Sequence, residues 1–291
     1  MSQTPNIQWF PGHMAKTRRL IRECLPMVDA VAEIRDARVV LSSKNPEIEK
    51  LIGNKKRILI LNKSDYADSI TTQKWCEYYR SQGIETVVTD SRSGKGVNQF
   101  PQAVRRVLKD KLDVWQNKGM GTKALKIMIV GIPNVGKSSF INRLSKSKKA
   151  KVEDRPGVTR GIQWVDVDSS LQLLDMPGML WPKFESQKVS EHLAFTGAIK
   201  DDIMDIELLA VRLLECLSEQ YPQMLCERYG IELSDADDGY ELLQKIGAKR
   251  GMRISGGEIN TERAAIMVID EFRGCKIGRI SLETPSDIER M

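Results

Sequence analysis

The nine residues Gly131-Ile132-Pro133-Asn134-Val135-Gly136-Lys137-Ser138-Ser139 constrain this chain more than any other stretch. They follow an apolar, β-prone run (Ile127, Met128, Ile129, Val130) and precede a helix-like one with Phe140, Ile141 and Leu144. Strand, then G-x-x-x-x-G-K-S, then helix is the setting of a phosphate-binding P-loop. The glycines let backbone N–H groups close around phosphate oxygens, and the helix N-terminus adds positive potential. Lys137 is then placed to reach the β- and γ-phosphates and Ser138 to hold Mg²⁺. Asn134, Val135, Gly136 and Ser139 complete the expected cradle.

A P-loop needs a parallel sheet around it, and the preceding residues supply one. Val28 to Asp36 and Arg57 to Leu61 read as strands, the second as a central one. A helix is expected over Thr71 to Ser81, with Trp75 and Tyr78 on one face, then a buried strand over Thr86 to Thr89. Strands alternating with helices predict an α/β fold with ligands at the strands' carboxyl ends. Asn62-Lys63-Ser64-Asp65 stands at such an end. The Asp65 carboxylate can accept from N1–H and the 2-amino group of guanine. Adenine offers neither donor, and an unpaired buried carboxylate is expensive, so this residue selects guanine. Asn62 is suited to bracing the loop, and Lys63 to laying its alkyl stem over the base. Backbone N–H groups of Ser91 and Arg92 are placed to meet the guanine O6. Lys109 to Lys123 reads as a connection leading into the P-loop strand.

After the P-loop helix, Asp154 to Arg160 is a polar loop containing Thr159, expected to ligate Mg²⁺ when a γ-phosphate is present. Two strands, Gln163 to Asp168 and Leu171 to Leu174, end in Asp175-Met176-Pro177-Gly178. Asp175 suits a Mg²⁺-bound water, and the Gly178 N–H suits γ-phosphate sensing. Met179 follows, where many nucleotide switches carry a water-orienting glutamine; an apolar side chain cannot polarise water. The usual order of such motifs begins at the P-loop and ends with N-K-x-D. Here N-K-x-D and the Ser91 loop come first, so the domain is circularly permuted. A permuted domain keeps its sheet and pocket when the old termini were close in space.

From about Val189 the signals are helical. Ile203, Ile206, Leu209, Ala210, Leu213 and Leu214 form a 3.6-period stripe, and helices are expected over Tyr240 to Ile246 and Glu262 to Phe272. The expected division is residues 1–198 for the permuted, mostly parallel α/β nucleotide domain and 199–291 for an α-helical domain. Near the N-terminus, Trp9 and Phe10 are expected to pack on the body of the protein. Pro11-Gly12 is expected to turn the chain into a helix from Ala15. His192, Trp164 and Trp181 read as packing residues.

With 45 Lys and Arg against 39 Asp and Glu, the chain carries a net charge of +6, and its basic residues are clustered. The clusters are Lys16, Arg18, Arg19, Arg22; then Arg143, Lys146, Lys148, Lys149, Lys151; and later Lys245, Lys249, Arg250, Arg253 with Arg273, Lys276, Arg279. Their recurrence points to a polyanionic partner, RNA first. The five cysteines lie far apart with no C-x-x-C pair, which fits reduced thiols in a cytoplasm and supplies no zinc site. No apolar stretch has the length of a membrane span, and the N-terminus has no secretory h-region.

The permuted motif order, together with Trp9-Phe10-Pro11-Gly12-His13-Met14 and the ending Gly278-Arg279-Ile280-Ser281-Leu282-Glu283, closely resembles the ribosome biogenesis GTPase A (YlqF-type) family over the whole chain. The resemblance implies a GTP-hydrolysing factor for late maturation of the bacterial 50S subunit. It implies rRNA binding, stimulation by that subunit, Mg²⁺ as cofactor and a cytoplasmic location, and we expect a monomer off the ribosome. It assigns hydrolysis to His13 in place of the missing glutamine, and it matches Asn134 to the P-loop asparagine of K⁺-using GTPases. The base loop departs from the family-like Ser-Ala or Ser-Lys, reading Asp90-Ser91-Arg92-Ser93. The alternative is a GTP-gated RNA-binding module whose hydrolysis is incidental, which Met179 favours.

Overall fold

The computed structural model describes residues 11–119, 123–145, 163–182, 184, 186–201, 204–234 and 236–290, without the side chains of 11–13, 289 and 290. Trp9, Phe10, Lys146, Lys148, Lys149, Lys151, Thr159, Ile203 and the side chain of His13 therefore lie outside the described residues.

The described chain forms two compact units, and each holds its own core. The first runs to Phe184 and is rejoined by residues 283–291; the second comprises 185–282. The division thus falls before α7 (Gln187–Phe195) rather than at residue 198. Within the second unit, Arg273 explains the earlier boundary: its guanidinium donates to the carbonyls of Ala194 (2.8 Å) and Phe195 (3.1 Å) at the end of that helix.

The first unit is built on six strands: β1 (Ala30–Asp36), β2 (Lys56–Asn62), β3 (Glu85–Val88), β4 (Leu125–Val130), β5 (Gln163–Asp168) and β6 (Leu171–Asp175). Their order is β3-β2-β1-β4-β6-β5, all parallel except the β5–β6 hairpin at one edge. Helices connect the parallel strands, as such crossovers require. They are α1 (Pro11–Cys24) before β1, α2 (Pro46–Ile52), α3 (Ser69–Ser81), then α4 (Phe100–Val107) and α5 (Lys109–Asn117), with α6 (Lys137–Ser145) after β4. Pro11 begins α1 rather than turning the chain, because proline at the first helical position lacks only an N–H that would have no partner anyway. Lys109 to Lys123 is not a plain connection, since α5 occupies its first half. That helix buries no side chain, and Lys111 secures it by pairing with Asp29 and lying over the Trp115 ring. β3 is an edge strand, so of its four residues only Val87 is fully buried.

Among the described residues, two apolar clusters lie against the sheet. One joins Ile21 and Cys24 of α1 and Ile48 and Ile52 of α2 to Val31, Met128 and Leu174, and it includes Met179. The other packs Trp75, Cys76 and Tyr79 of α3 on Leu59 and Leu61, with Ile288 from the returning segment against it. β1 crosses this interior with all seven residues buried, although Glu33, Arg35 and Asp36 are charged. Glu33 binds Arg35 through two bonds of 2.9 Å and also pairs with Arg57. Arg35 reaches the Tyr79 hydroxyl at 2.7 Å. The charges survive burial because each is paired and hydrogen-bonded.

The second unit is helical. α7 precedes α8 (Ile206–Gln220), α9 (Pro222–Tyr229), α10 (Gly239–Lys249) and α11 (Thr261–Arg273). Leu209, Ala210, Leu213 and Leu214 of the expected stripe, joined by Leu217, are the buried face of α8, with Ile206 half-buried, and α10 starts at a capping box formed by Asp238 and Glu241. His192 is buried against Phe195, as a packing residue should be. The basic clusters are partly used internally: Lys245 pairs with Asp237 and Arg273 with Asp201, while Lys249, Arg250, Arg253, Lys276 and Arg279 are exposed.

Removing the Glu33 charge would leave Arg35 buried without its partner, so Glu33→Gln should destabilise the protein by about 3 kcal/mol in urea unfolding. The two arginines outweigh burial and hold the Glu33 carboxyl at about 2, below the usual 4.5. A carboxyl depressed on folding contributes stability above its unfolded pKa and loses it on acidification. The difference between wild type and Glu33→Gln should therefore be full at pH 6 and shrink from about pH 4.5 toward 2.

Candidate functional site

The carboxyl ends of β2, β4 and β6 face one edge of the sheet, and the segments leaving them meet there. Asn62, the last residue of β2, is 2% exposed and ties together the segments that follow β3 and β4. Its Nδ2 donates to the Val135 carbonyl in the P-loop at 2.8 Å. Its Oδ1 accepts from the Thr89 hydroxyl (3.0 Å), the Ser91 N–H (3.1 Å) and the Ser91 hydroxyl (2.7 Å). The approach is close enough to demand glycine at 136: a Cβ there would lie 2.4 Å from Asn62 Nδ2, and the backbone has φ +93°. Bracing by Asn62, expected from its position alone, is thus a direct bond to both loops.

The residues after Asn62 take different partners. Lys63, at φ +59°, points its ammonium to Asp36 Oδ2 at 3.0 Å rather than standing free. Asp36 also binds Arg38 through Nε (3.0 Å), Nη2 (2.9 Å) and the backbone N–H (3.0 Å). The two cations outweigh burial and hold the Asp36 carboxyl well below the usual range. Burial, helped by the Arg38 charge, lowers the Lys63 pKa despite the Asp36 carboxylate. Asp65 is half-buried, and burial with the nearby Asp90 charge pushes its carboxyl up. Ser91 is buried; Arg92 is exposed, donates from Nη1 to the Tyr66 hydroxyl at 2.8 Å and accepts from Arg143 at its carbonyl, 2.7 Å. The Asp36–Lys63 pair had no signature in a four-residue motif.

On the phosphate side, Val135, Gly136 and Lys137 turn the chain from β4 into α6, with Asn134 exposed at φ +59° and Ser138 and Ser139 exposed at the helix start. Lys137 is 8% exposed and donates to the carbonyls of Gly131 (3.2 Å) and Ile132 (2.9 Å). Burial pulls its pKa down to about 8, partly offset by Asp175. The Asp175-Met176-Pro177-Gly178 turn lies directly on this loop. A Cβ at Gly178 would stand 3.0 Å from both Lys137 Nζ and the Pro133 nitrogen, so two segments distant in sequence touch at a glycine. Met179 is 1% exposed inside the apolar cluster, and its N–H donates to the Gly131 carbonyl at 3.3 Å. It takes no part in polarising water.

Among the described residues of this site, Asp175 has the side chain best suited to a ligand. Its Oδ1 is buried without a hydrogen-bond partner, and burial pushes the carboxyl up to about 6 against the pull of Lys137. An oxygen donor of this kind fits a hard divalent cation, and Ser138, which follows the Lys137 whose charge acts on Asp175, offers a second oxygen. Ser138 and Asp175 are thus present and suited to Mg²⁺; Thr159, the third expected ligand, lies outside the described residues.

Comparison with known proteins agrees with this geometry. A family model described as a 50S ribosome-binding GTPase matches residues 126–228, beginning at β4 and leaving out the Asn62–Asp65 motif that here precedes it. The chain is 48% identical over 282 residues to Ribosome biogenesis GTPase A of Bacillus licheniformis, spanning 97% of this chain and 99% of that one. It is 32% identical over 282 residues to the protein of the same name from Thermotoga maritima, spanning 97% and 96%. The crystal structure of GNP-bound YlqF from T. maritima superposes with a TM-score of 0.64 at 28% identity, over 93% of this chain and 98% of that one.

Because its pKa is raised from 3.8 to about 6, ionised Asp175 destabilises the free protein at neutral pH, and stability should rise as pH falls through 6. Asp175→Asn should therefore raise the unfolding free energy of the nucleotide-free protein at pH 7 by about 1–3 kcal/mol. Urea titrations at pH 7 and pH 5 check this, with the gain smaller at the lower pH.

Proposed function

The chain belongs to the ribosome biogenesis GTPase A family, and from that premise we propose that this GTPase serves late maturation of the 50S ribosomal subunit, binding rRNA in a nucleotide-dependent way in the cytoplasm. The observation that carries the reading is the meeting of three motifs at one sheet edge: Asn62 joins the base loop to the P-loop, and Gly178 rests on Lys137. No helix among the described residues is long and apolar enough to cross a membrane.

In this reading the Asp65 carboxylate takes the guanine N1–H and amino group, and the P-loop N–H groups hold the phosphates. Lys137 gives up its two carbonyl partners for phosphate oxygens, an exchange that leaves its charge paired rather than merely solvated by the loop. Mg²⁺, held by Ser138, Asp175 and Thr159, would supply neutralisation of the phosphate charge. The Gly178 N–H meets the γ-phosphate. With Met179 buried, the group that orients water comes from elsewhere, and His13 is our candidate. Asn134 at the loop tip offers an amide oxygen suited to K⁺. The domain division that fits the reading is a permuted nucleotide domain followed by a helical RNA- and ribosome-binding domain, whose exposed Lys249, Arg250 and Arg253 suit phosphate contacts.

The second reading is a GTP-gated RNA-binding module with incidental hydrolysis, favoured by the burial of Met179. Steady-state turnover with and without purified 50S subunits separates the two, with ATP as control nucleotide. We expect strong stimulation by 50S that His13→Ala removes, by roughly 10²-fold or more if the imidazole assists proton transfer or water positioning. Stimulation untouched by His13→Ala keeps the function and removes His13; GTP-dependent particle binding without stimulation supports the second reading. Replacing K⁺ by Na⁺ should lower turnover if Asn134 holds the ion, and Asn134→Ala should erase that difference.

A further inference from the structure

Residues 37–45 carry no nucleotide motif, yet they are among the most buried polar segments of the first unit. Ser42, Ser43 and Asn45 are all fully buried. Asn45 uses both ends of its side chain. Its Oδ1 caps α2 by accepting from the N–H groups of Glu47 (2.9 Å) and Ile48 (3.4 Å). Its Nδ2 donates to the carbonyl of Met179 at 2.7 Å, one residue beyond Gly178.

The loop bearing Asn45 is itself held by a residue from the other end of the chain. The Glu283 carboxylate, 1% exposed, accepts from the N–H of Leu41 (2.6 Å) and of Ser42 (3.1 Å to each oxygen), and from the Ser42 hydroxyl. The Glu283 carbonyl accepts from Trp75 Nε1 at 3.1 Å. A buried carboxylate taking two backbone N–H groups and a hydroxyl fixes the backbone it binds, because those bonds are charge-assisted.

From these contacts we infer that Asn45 and Glu283 are positioning residues for the γ-phosphate side of the site. Glu283 holds residues 41–42, these place Asn45, and Asn45 anchors the Met179 carbonyl. A buried carbonyl robbed of its donor is costly, so the anchor restricts where the Gly178 N–H can stand. Gly178 has no side chain to hold it and lies against Lys137, so the restraint must come from its neighbour in the chain. The segment that returns after the helical unit is thereby part of the γ-phosphate sensor. This inference rests on the GTPase reading, and on Gly178 meeting the γ-phosphate.

The test compares Asn45→Asp, Glu283→Gln and the double variant with wild type. Asn45→Asp keeps the acceptor that caps α2 but replaces the donor to Met179 with an oxygen that repels its carbonyl; Asn45→Ser, which still caps but is too short to reach, replaces it if folding fails. Affinities for GDP and for a non-hydrolysable GTP analogue are measured with Mg²⁺, alongside melting temperature. We expect Asn45→Asp to weaken the analogue by roughly fivefold or more, at least the size of one buried hydrogen bond, with GDP affinity unchanged. Glu283→Gln should act in the same direction, and the double variant should be no worse than Asn45→Asp alone, as groups in one chain of contacts behave. Equal weakening of GDP and analogue would mean a merely structural role and overturn the inference, as would effects that multiply in the double variant or ratios unchanged within about twofold. Wild-type protein that binds neither nucleotide would instead overturn the GTPase reading.

Discussion

A single buried amide holds the nucleotide site together. Asn62 spends its donor on the P-loop carbonyl of Val135 and its acceptor on Thr89 and Ser91, so three segments from three strands share one side chain. Each bond contributes only about 1 kcal/mol on its own. Their value lies in geometry, because the base side and the phosphate side of the site cannot drift apart while the amide is in place. Gly136 follows from this, as no side chain fits between the loop and Asn62. Permutation of the chain leaves the arrangement intact, since the contact needs the strand ends to be adjacent, not the motifs to come in a particular order.

The buried charges of β1 extend the same scheme. Glu33 and Arg35 stand two residues apart on β1, which places both partners on one face, whereas Arg38 reaches back to Asp36 from the turn just after the strand. Glu33 thereby carries its countercharge on its own strand and draws a second from Arg57 on β2, while Asp36 draws Lys63 from the chain just beyond β2. Asp36 thus links the interior of the sheet to the base motif. Such pairs add little net stability over apolar packing, but they fix which strand ends lie together.

Features that announce themselves by period or by backbone need were legible in the sequence. β2 and β4 carry apolar runs, the stripe on α8 repeats every turn, and the P-loop must have its glycines. The features that were not legible depend on long-range contact between a side chain and the backbone. Nothing local marks Asn45 as the partner of Met179, Glu283 as the partner of Leu41 and Ser42, or Lys63 as the partner of Asp36. α5 escaped because most of its side chains are charged or polar and none is buried, and α9 because eight residues are too few to show a period. The basic clusters were legible as composition only; which lysines and arginines remain exposed was decided by acidic partners such as Asp237 and Asp201.

The return of residues 283–291 to the first unit bears on how the protein is made. A domain contiguous in sequence can complete itself on the translating ribosome as soon as its last residue clears the exit tunnel. Here the helical unit is synthesised in between, and the acceptor for Leu41 and Ser42 and the apolar Ile288 arrive only afterwards. Until then the nascent nucleotide domain carries two buried-to-be backbone donors without their carboxylate and an uncovered edge of its Trp75 cluster. Closing so long a loop also adds to the entropy that must be overcome before these contacts form. Final assembly of the GTP site is therefore a late event, placed after the helical unit has been made and the segment that completes the site has left the tunnel.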